Sequence, residues 1–328
     1  MDRRTVLGNL ALGTVALSGA TAQPSRAMAR IGILRLDRTS DMAGAQPQVV
    51  QVNALLRGLQ ELGYRYGEDF VTEPRGAAGK PQLVASLAAE LVRARVDVIV
   101  AAGPTLGALK QATSTIPVVM GGASDPVGEE LVQSLARPGR NFTGLSLQTV
   151  ETIGKRIELL KELDPGAAPV AVLWDRPRLA DWQAAEQAAQ ARQWRLLSLE
   201  IRAVSEIERA IERARAGGAA TVLVLGGGIF LPHARRIADL VARNRLAAVY
   251  PLRLYVEDGG LMSYGPDVND IWRRAAGFVD KILRGARPAE LPVEQPTKFE
   301  LVINLKAAKS IGLTIPAALS LRADDLVR

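Results

Sequence analysis

The group most able to do chemistry in this sequence is one serine set among small residues, in the stretch DGGLMSYGPD at 258–267. A nucleophilic serine of an α/β-hydrolase occupies the middle of a G-x-S-x-G pattern and precedes its histidine along the chain. Here Gly260 lies three positions before Ser263, and the chain's one histidine, His233, comes before the serine. The pattern therefore disfavours a hydrolase. It leaves two interpretations, a strand end that approaches a ligand or a surface turn.

Cysteine and histidine set further limits on the chemistry. The sequence contains no cysteine, which excludes disulfides, thiolate metal sites, a cysteine nucleophile and a lipid anchor on cysteine. A single histidine weighs against zinc enzymes and Ser-His-Asp catalysis, and we expect His233 to cap a helix or lie on the surface. The turn GGGIF at 226–230 contains G-x-G, but Leu231 stands where a dinucleotide-binding fingerprint has its third glycine. We predict no catalytic residue, no metal and no cofactor.

A different pattern recurs, in which a strand is followed by small residues, a polar group and a helix start. It occurs three times, at Gly103-Pro104-Thr105, Gly122-Ala123-Ser124-Asp125 and Gly226-Gly227-Gly228. Helix N-termini present unpaired N–H groups and a partial positive charge, which suits a carboxylate. An acid in the same cleft suits an ammonium group. The pattern favours a binding site for an amino-acid-like zwitterion that needs no reactive residue.

The elements that must position these residues alternate between short apolar strands and amphipathic helices. The predicted strands are 29–36, a strand near 69–73, 96–103, 116–124, 169–175, 194–201, 220–228 and 246–251. The predicted helices are 48–64, 81–95, 106–113, one opened by Asp125 and Pro126, 149–163, 179–193, 205–216 and 232–244. The series restarts after the segment 141–146, which predicts two doubly wound parallel-sheet lobes. Ligands bind at the carboxyl ends of such sheets, so facing lobes would form one interlobe cleft.

Composition and charge narrow the class of protein. Aromatic residues are 4% of the chain and the formal net charge is +7. The basic residues are spread over mixed-sign helix faces, without a run of five or more and without interleaved aromatics. We therefore expect no nucleic-acid partner.

The first 29 residues have the three parts of a secretory signal peptide. Arg3 and Arg4 precede an uncharged stretch, and A-x-A patterns end at Ala22 and Ala29. The two arginines resemble a twin-arginine signal, and the choice between that route and general secretion stays open. No later stretch reaches 18 consecutive apolar residues. We predict export to the periplasm after cleavage near Ala22 or Ala29.

Two long blocks, ATSTIPVVMGGASDPVGEELVQSLARPGRNFTGLS at 112–146 and GLMSYGPDVNDIWRRAAGFVDKILRGARPAELPVEQPTKFELVINLKAAKSIGLTIP at 260–316, resemble ABC transporter substrate-binding proteins. Characterised members of that family include tryptophan/tyrosine-type periplasmic components. The resemblance implies the type I periplasmic-binding-protein fold, two α/β lobes joined by three crossings. It puts the crossings near 142–145, 262–265 and 291–293. Lobe I would be 30–142 plus 265–291, and lobe II 146–262 plus 292–328.

The resemblance also implies a set of ligand-binding residues in the cleft and at the hinge. They are Gly103, Pro104, Thr105, Ser124, Asp125, Asp175, Gly226, Gly227, Gly228, Ser263, Tyr264 and Asp267. The chain departs from the family pattern in the polar segment DRTSDMAGAQPQ at 37–48 and in GYRYGEDF at 63–70, which bears on ligand identity.

The function implied is that of an exported, monomeric solute-binding protein. It would close over an amino-acid-like and possibly aromatic ligand by hinge motion and deliver it to an ABC permease in the membrane. One alternative is a ligand sensor that presents its closed state to a membrane receptor. Another is an exported α/β enzyme, which the missing histidine constellation and cofactor fingerprint disfavour.

Overall fold

Two mainly parallel β-sheets organise the chain in a computed structural model that describes residues 28–147, 150–164, 166 and 169–328. The predicted signal peptide covers 1–29, and its first 27 residues lie outside this described part. Among the residues described, no helix is long and apolar enough to cross a membrane.

The first sheet is formed by the first part of the described chain, in which strands and helices alternate. Its elements are β1 Ala29–Arg35, α1 Thr39–Met42, α2 Val50–Glu61, β2 Phe70–Gly76, α3 Val84–Arg93, β3 Val98–Ala101, α4 Leu106–Ala112, β4 Val118–Ala123 and β5 Phe142–Ser146. The five strands are all parallel, in the order β2-β1-β3-β4-β5. All their carboxyl ends therefore lie at one edge of the sheet.

The second sheet is formed by the rest of the chain. Its elements are α5 Ile153–Leu163, β6 Val170–Asp175, α6 Leu179–Gln190, β7 Leu196–Ile201, α7 Ile207–Ala216, β8 Thr221–Val224, α8 Ala234–Arg243, β9 Ala247–Tyr250, α9 Arg253–Glu257, β10 Met262–Pro266, α10 Val268–Leu283, β11 Phe299–Asn304, α11 Leu305–Ile311, α12 Ala317–Arg322 and β12 Asp325–Val327. The seven strands have the order β12-β11-β10-β9-β8-β6-β7. Only the β10–β11 pair is antiparallel among the strand pairs described.

Helices cover both faces of each sheet because successive strand residues point to opposite sides. In β1, Ile31 and Ile33 pack in one apolar cluster with α2 and α10, whereas Leu34 joins a second cluster with α3 and α4. In the second sheet, α7, α8 and α9 cover one face, while α5, α6, α11 and α12 cover the other. The prediction of two doubly wound, mainly parallel sheets is confirmed.

The helix α10 follows β10 of the second sheet but packs on the first. An added Cβ at Gly58 of α2 would lie 2.2 Å from the backbone oxygen of Arg273 in α10, so the two helices touch through glycine. The side chain of Trp272 is fully buried in the same cluster. The chain then returns to the second sheet at β11.

Three chain segments run between the sheets, and hydrogen bonds join them. The N–H of Glu294 donates to the oxygen of Gly144 in β5 at 2.9 Å, and the N–H of Asp267 donates to the oxygen of Lys298 at 3.1 Å. An added Cβ at Gly265 in β10 would lie 1.9 Å from the oxygen of Pro251, so only glycine fits this passage. The predicted lobe boundaries stay a prediction.

One predicted helix is absent from the described chain. The segment after β4, expected to begin a helix at Asp125 and Pro126, forms turns instead. The carboxylate of Asp125 accepts a hydrogen bond from the N–H of Gly128 at 2.8 Å, as an N-cap would. Glu130, however, has a φ of +54°, which ends any helical continuation. The prediction that Asp125 caps the backbone after β4 is confirmed. The prediction of a helix in this segment is wrong.

Candidate functional site

The predicted cleft residues fall into two groups, one at the carboxyl end of each sheet. Gly103–Thr105 form a turn between β3 and α4, and Ser124 follows the neighbouring strand β4. In the second sheet Asp175 is the last residue of β6, and 226–228 follow β8, which pairs with β6.

The two groups face each other across a space that we call the cleft. An added Cβ at Gly103, which has a φ of +56°, would lie 3.6 Å from Cδ2 of Leu231. This contact joins the turn after β3 of the first sheet to the segment after β8 of the second. Desolvation raises the pKa of Glu129, and the positive charge of Arg178, across the same space, opposes that rise. The carboxyl edges of both sheets therefore meet.

Asp175 is the buried acid of the cleft. Its residue is 2% exposed, and its Oδ1 has no hydrogen-bond partner among the residues described. The carboxylate lies against Gly227, where an added Cβ would come within 2.8 Å of both carboxylate oxygens. Burial raises the pKa of Asp175, while the charge of Arg178 and the N–H of Ile229 oppose that rise. Glycine at 227 thus makes room for a buried carboxylate.

Arg178 and Asp181, three and six residues after Asp175, form a buried ion pair. Arg178 donates from Nε and Nη2 to Oδ2 of Asp181, at 3.1 and 2.8 Å, and from Nη2 to Oδ1 at 3.0 Å. The side chains are 8% and 2% exposed. Burial raises the pKa of Asp181, and the charges of Arg178 and Arg156 oppose the rise.

Arg156 of α5 completes this charged group. It is fully buried; its Nη1 donates to the oxygen of Val224 at 3.3 Å and its Nη2 to Oγ1 of Thr152 at 3.1 Å. Desolvation lowers the pKa of Arg156 to about 10, and the charge of Asp181 opposes the fall. Arg156 therefore ties α5 to the carboxyl end of β8, beside the glycine turn.

Arg156, Arg178 and Asp181 were not predicted from the sequence. The sequence carries a signal for a buried ion pair here, because Arg178 and Asp181 are three residues apart directly after a buried strand that ends in Asp175.

In the first sheet, polar groups of the predicted site stabilise local turns. Thr105 is buried, and its hydroxyl donates to the oxygens of Ala102 at 3.0 Å and Leu34 at 3.3 Å. Asp125 is exposed and engaged with Gly128. Pro104 and Ser124 are half-buried at the same edge.

A contact between Arg35 and Trp272 at the carboxyl edge of the first sheet was not predicted. The guanidinium of Arg35, at the end of β1, lies 4.8 Å from the ring centroid of Trp272. The Nε1 of Trp272 has no hydrogen-bond partner among the described residues. The ring packs so closely on Gly121 of β4 that an added Cβ there would come within 2.7 Å of it. Glycine at this position lets a tryptophan reach the carboxyl side of the sheet.

The three predicted hinge residues differ in their surroundings. Ser263 is 1% exposed, and its Oγ lacks a partner among the residues described. Tyr264 is half-buried and stacks on Phe299, with 6.2 Å between ring centroids. Since successive strand residues alternate, Ser263 and Tyr264 point to opposite faces of the second sheet. Asp267 caps α10, and its Oδ1 accepts from the N–H groups of Asn269 at 2.9 Å and Asp270 at 3.0 Å.

A surface groove of about 450 Å³ runs along α8, and Leu231, which approaches Gly103 across the cleft, is one of its lining residues. His233 is at the start of α8, as predicted, and lines the groove together with charged side chains that include Arg236, Asp239 and Glu208. Arg236 and Glu208 pair with each other at 3.3 Å. We place the candidate site in the cleft rather than in this groove, because the buried Asp175, whose Oδ1 has no partner in the described part of the chain, lies in the cleft.

In the part of the chain that the structure describes, no three or more histidine, aspartate or glutamate side chains come together in a way that could hold a metal ion.

Comparison with known proteins identifies the family. Residues 47–327 match the family described as ABC transporter substrate binding protein. A Clostridioides difficile (strain R20291) protein named tyrosine-binding protein is 24% identical over 262 residues, 79% of this chain and 75% of that protein.

Solved structures show the same architecture. A conserved domain protein of Vibrio cholerae has a TM-score of 0.79 at 26% identity, covering 92% of this chain and 100% of its own. An ABC domain of Streptococcus pneumonia in complex with L-Trp also has a TM-score of 0.79, at 23% identity and the same coverage. These likenesses confirm the predicted fold, that of type I periplasmic binding proteins.

The family match spans most of the chain and agrees with the blocks from which the resemblance was inferred. It confirms the prediction of a solute-binding protein rather than an enzyme. The chain belongs to the ABC transporter substrate-binding protein family.

Proposed function

We propose that this protein captures a small amino-acid-like ligand in the cleft between its two sheets and delivers it to a membrane permease. The observation that carries the proposal is the buried Asp175 at the carboxyl edge of the second sheet, whose Oδ1 has no hydrogen-bond partner among the described residues. Ligands of open parallel sheets bind at this edge. A carboxylate suits the ammonium group that every amino acid carries at neutral pH.

Two relatives support an aromatic amino acid as the ligand. One is named a tyrosine-binding protein, and another was solved with L-Trp. We propose that the ligand contacts the turns at 103–105, 124–125 and 226–228 together with Asp175, and that Ser263, Tyr264 and Asp267 belong to the hinge. The protein would act outside the cytoplasm as a monomer, exported by its N-terminal segment.

A thermal-shift screen tests this proposal on the purified protein, with amino acids, organic acids and sugars as probes. A ligand present at 100 times its Kd adds about 2.7 kcal/mol to the free energy of unfolding. We expect L-tyrosine or L-tryptophan to raise the Tm, whereas sugars leave it unchanged. A shift by sugars alone would contradict the amino-acid proposal, and turnover of a bound compound would contradict a binding role.

A further inference from the structure

Four charged residues are buried together at the carboxyl edge of the second sheet. Asp175, Arg178, Asp181 and Arg156 are 2%, 7%, 1% and 0% exposed. Buried charges are costly unless they are paired and hydrogen-bonded. How the four charges compensate one another therefore decides what the edge can bind.

Both arginines act on Asp181, Arg178 by hydrogen bonds and Arg156 by its charge alone. Arg178 holds Asp181 in a forked pair through Nε and Nη2, and the charge of Arg156 also acts on Asp181. Asp175 makes no ion pair with any described residue, although the charge of Arg178 acts on it. The four side chains carry two positive and two negative charges, and Asp175 is the acid left without an ion-pair partner among the described residues.

The facing side of the cleft contributes acids at this point. Among the described residues of the first sheet, Glu129 interacts electrostatically with Arg178, and Asp125 with Asp181. Lys110 also acts on Glu129, and its Nζ pairs with Glu130 at 2.9 Å. The two acids would stabilise a ligand cation in the cleft.

We propose that Asp175 binds a protonated amine of the ligand, beside the buried Arg178–Asp181 pair and Arg156. This inference rests on the proposed function and specifies its substrate class, which is a ligand bearing an ammonium group. Glycine at 227 leaves room for the buried carboxylate, since the Cβ of any other residue there would contact both its oxygens.

The first experiment compares three probes on the unmodified protein by calorimetric titration. L-tyrosine has an amine and a carboxylate, tyramine lacks the carboxylate, and 3-(4-hydroxyphenyl)propionate lacks the amine. Leaving a buried charge unpaired costs enough to weaken binding by about 100-fold. We expect the probe without the amine to lose affinity by about that factor, and tyramine to lose less.

The second experiment changes the protein. Asp175→Asn keeps the size of the side chain and removes its charge, so it should weaken L-tyrosine binding by about 100-fold and leave 3-(4-hydroxyphenyl)propionate unaffected. The matched control is Asp239→Asn, an exposed carboxylate on α8 of the same sheet, which should bind L-tyrosine like the wild type. Thermal unfolding of both variants shows whether they are folded.

The outcomes separate this inference from the function on which it rests. Equal affinity for L-tyrosine and its amine-free analogue would overturn the amine subsite while the binding function stands. Unchanged tyrosine affinity in a folded Asp175→Asn variant would do the same. If L-tyrosine, L-tryptophan and tyramine all fail to bind, the amino-acid proposal and the amine subsite fall together.

Discussion

At the scale of single residues, the second sheet separates a paired from an unpaired buried acid. Asp181 is held by Arg178 through short, forked hydrogen bonds, while Asp175 has an oxygen without a partner in the described chain. Such an unsatisfied group costs stability in the free protein. A ligand that satisfies the group recovers that cost on binding.

Ligand binding should depend on pH through Asp175. Burial raises its pKa above the ordinary value, against the opposing effects of Arg178 and the Ile229 N–H. The charged or titratable groups that interact with it are Arg178, Asp181 and Tyr255. A protonated carboxyl cannot pair with an ammonium group, so lowering the pH toward the raised pKa should weaken the binding of tyramine, which stays protonated.

Titrations with tyramine at pH 7.5 and pH 5 measure this effect. We expect the wild type to bind more weakly at the lower pH, and Asp175→Asn to show a smaller change. Asp181 is present in both proteins and its pKa is raised too, so the difference between them isolates Asp175. Equal pH dependence in the two proteins would contradict the role of Asp175.

Residues that directly follow a strand could be placed from the sequence, whereas buried residues within helices could not. Gly103 and 226–228 were predicted at the cleft edge because parallel strands end at one edge, and Asp175 was implied by the family resemblance. Arg156 lies within α5, and its burial depends on how α5 packs against β8 and β9. Helical spacing cannot distinguish such an arginine from a solvated one, because long basic side chains usually reach water.

At the scale of elements, strand and helix types were predictable and their packing distances were not. Strands such as β3 and β6 are continuous apolar runs, which marks buried parallel strands. The turn segment 125–131 was predicted as a helix because its cap signal is local, whereas the backbone at Glu130 that ends it is not visible in the sequence. Likewise, the contact of α2 with α10 joins segments more than 200 residues apart.

Two glycine-to-alanine changes test that helix contact. Gly58→Ala in α2 places a Cβ 2.2 Å from the oxygen of Arg273, so α10 must shift, and we expect a loss of about 2 kcal/mol or more in the free energy of unfolding. The control is Gly277→Ala in α10, where nothing lies within 4 Å of the added Cβ. Since alanine favours helix, this variant should gain about 0.5 kcal/mol.

Denaturant unfolding of the two variants measures these changes. A loss of stability in both, or in neither, would contradict the described approach of α2 to α10. The contact matters for function because α10 leads directly from β10, one of the segments between the sheets.

At the scale of the whole molecule, the central claim is that one ligand touches both sheets at once. The turn at Gly103 already meets Leu231 of the other sheet, and the groups at 125 and 129 interact electrostatically with the Arg178–Asp181 pair. Binding in such a cleft should couple the two sheets, since a ligand that contacts both stabilises the closed arrangement.

Hydrogen–deuterium exchange with and without saturating L-tyrosine tests this claim most directly. The account predicts slower exchange in peptides from both sheets, those containing 103–106 and 124–129 of the first and 175–181 and 226–231 of the second. Slower exchange confined to one sheet, or to the groove along α8, would contradict it.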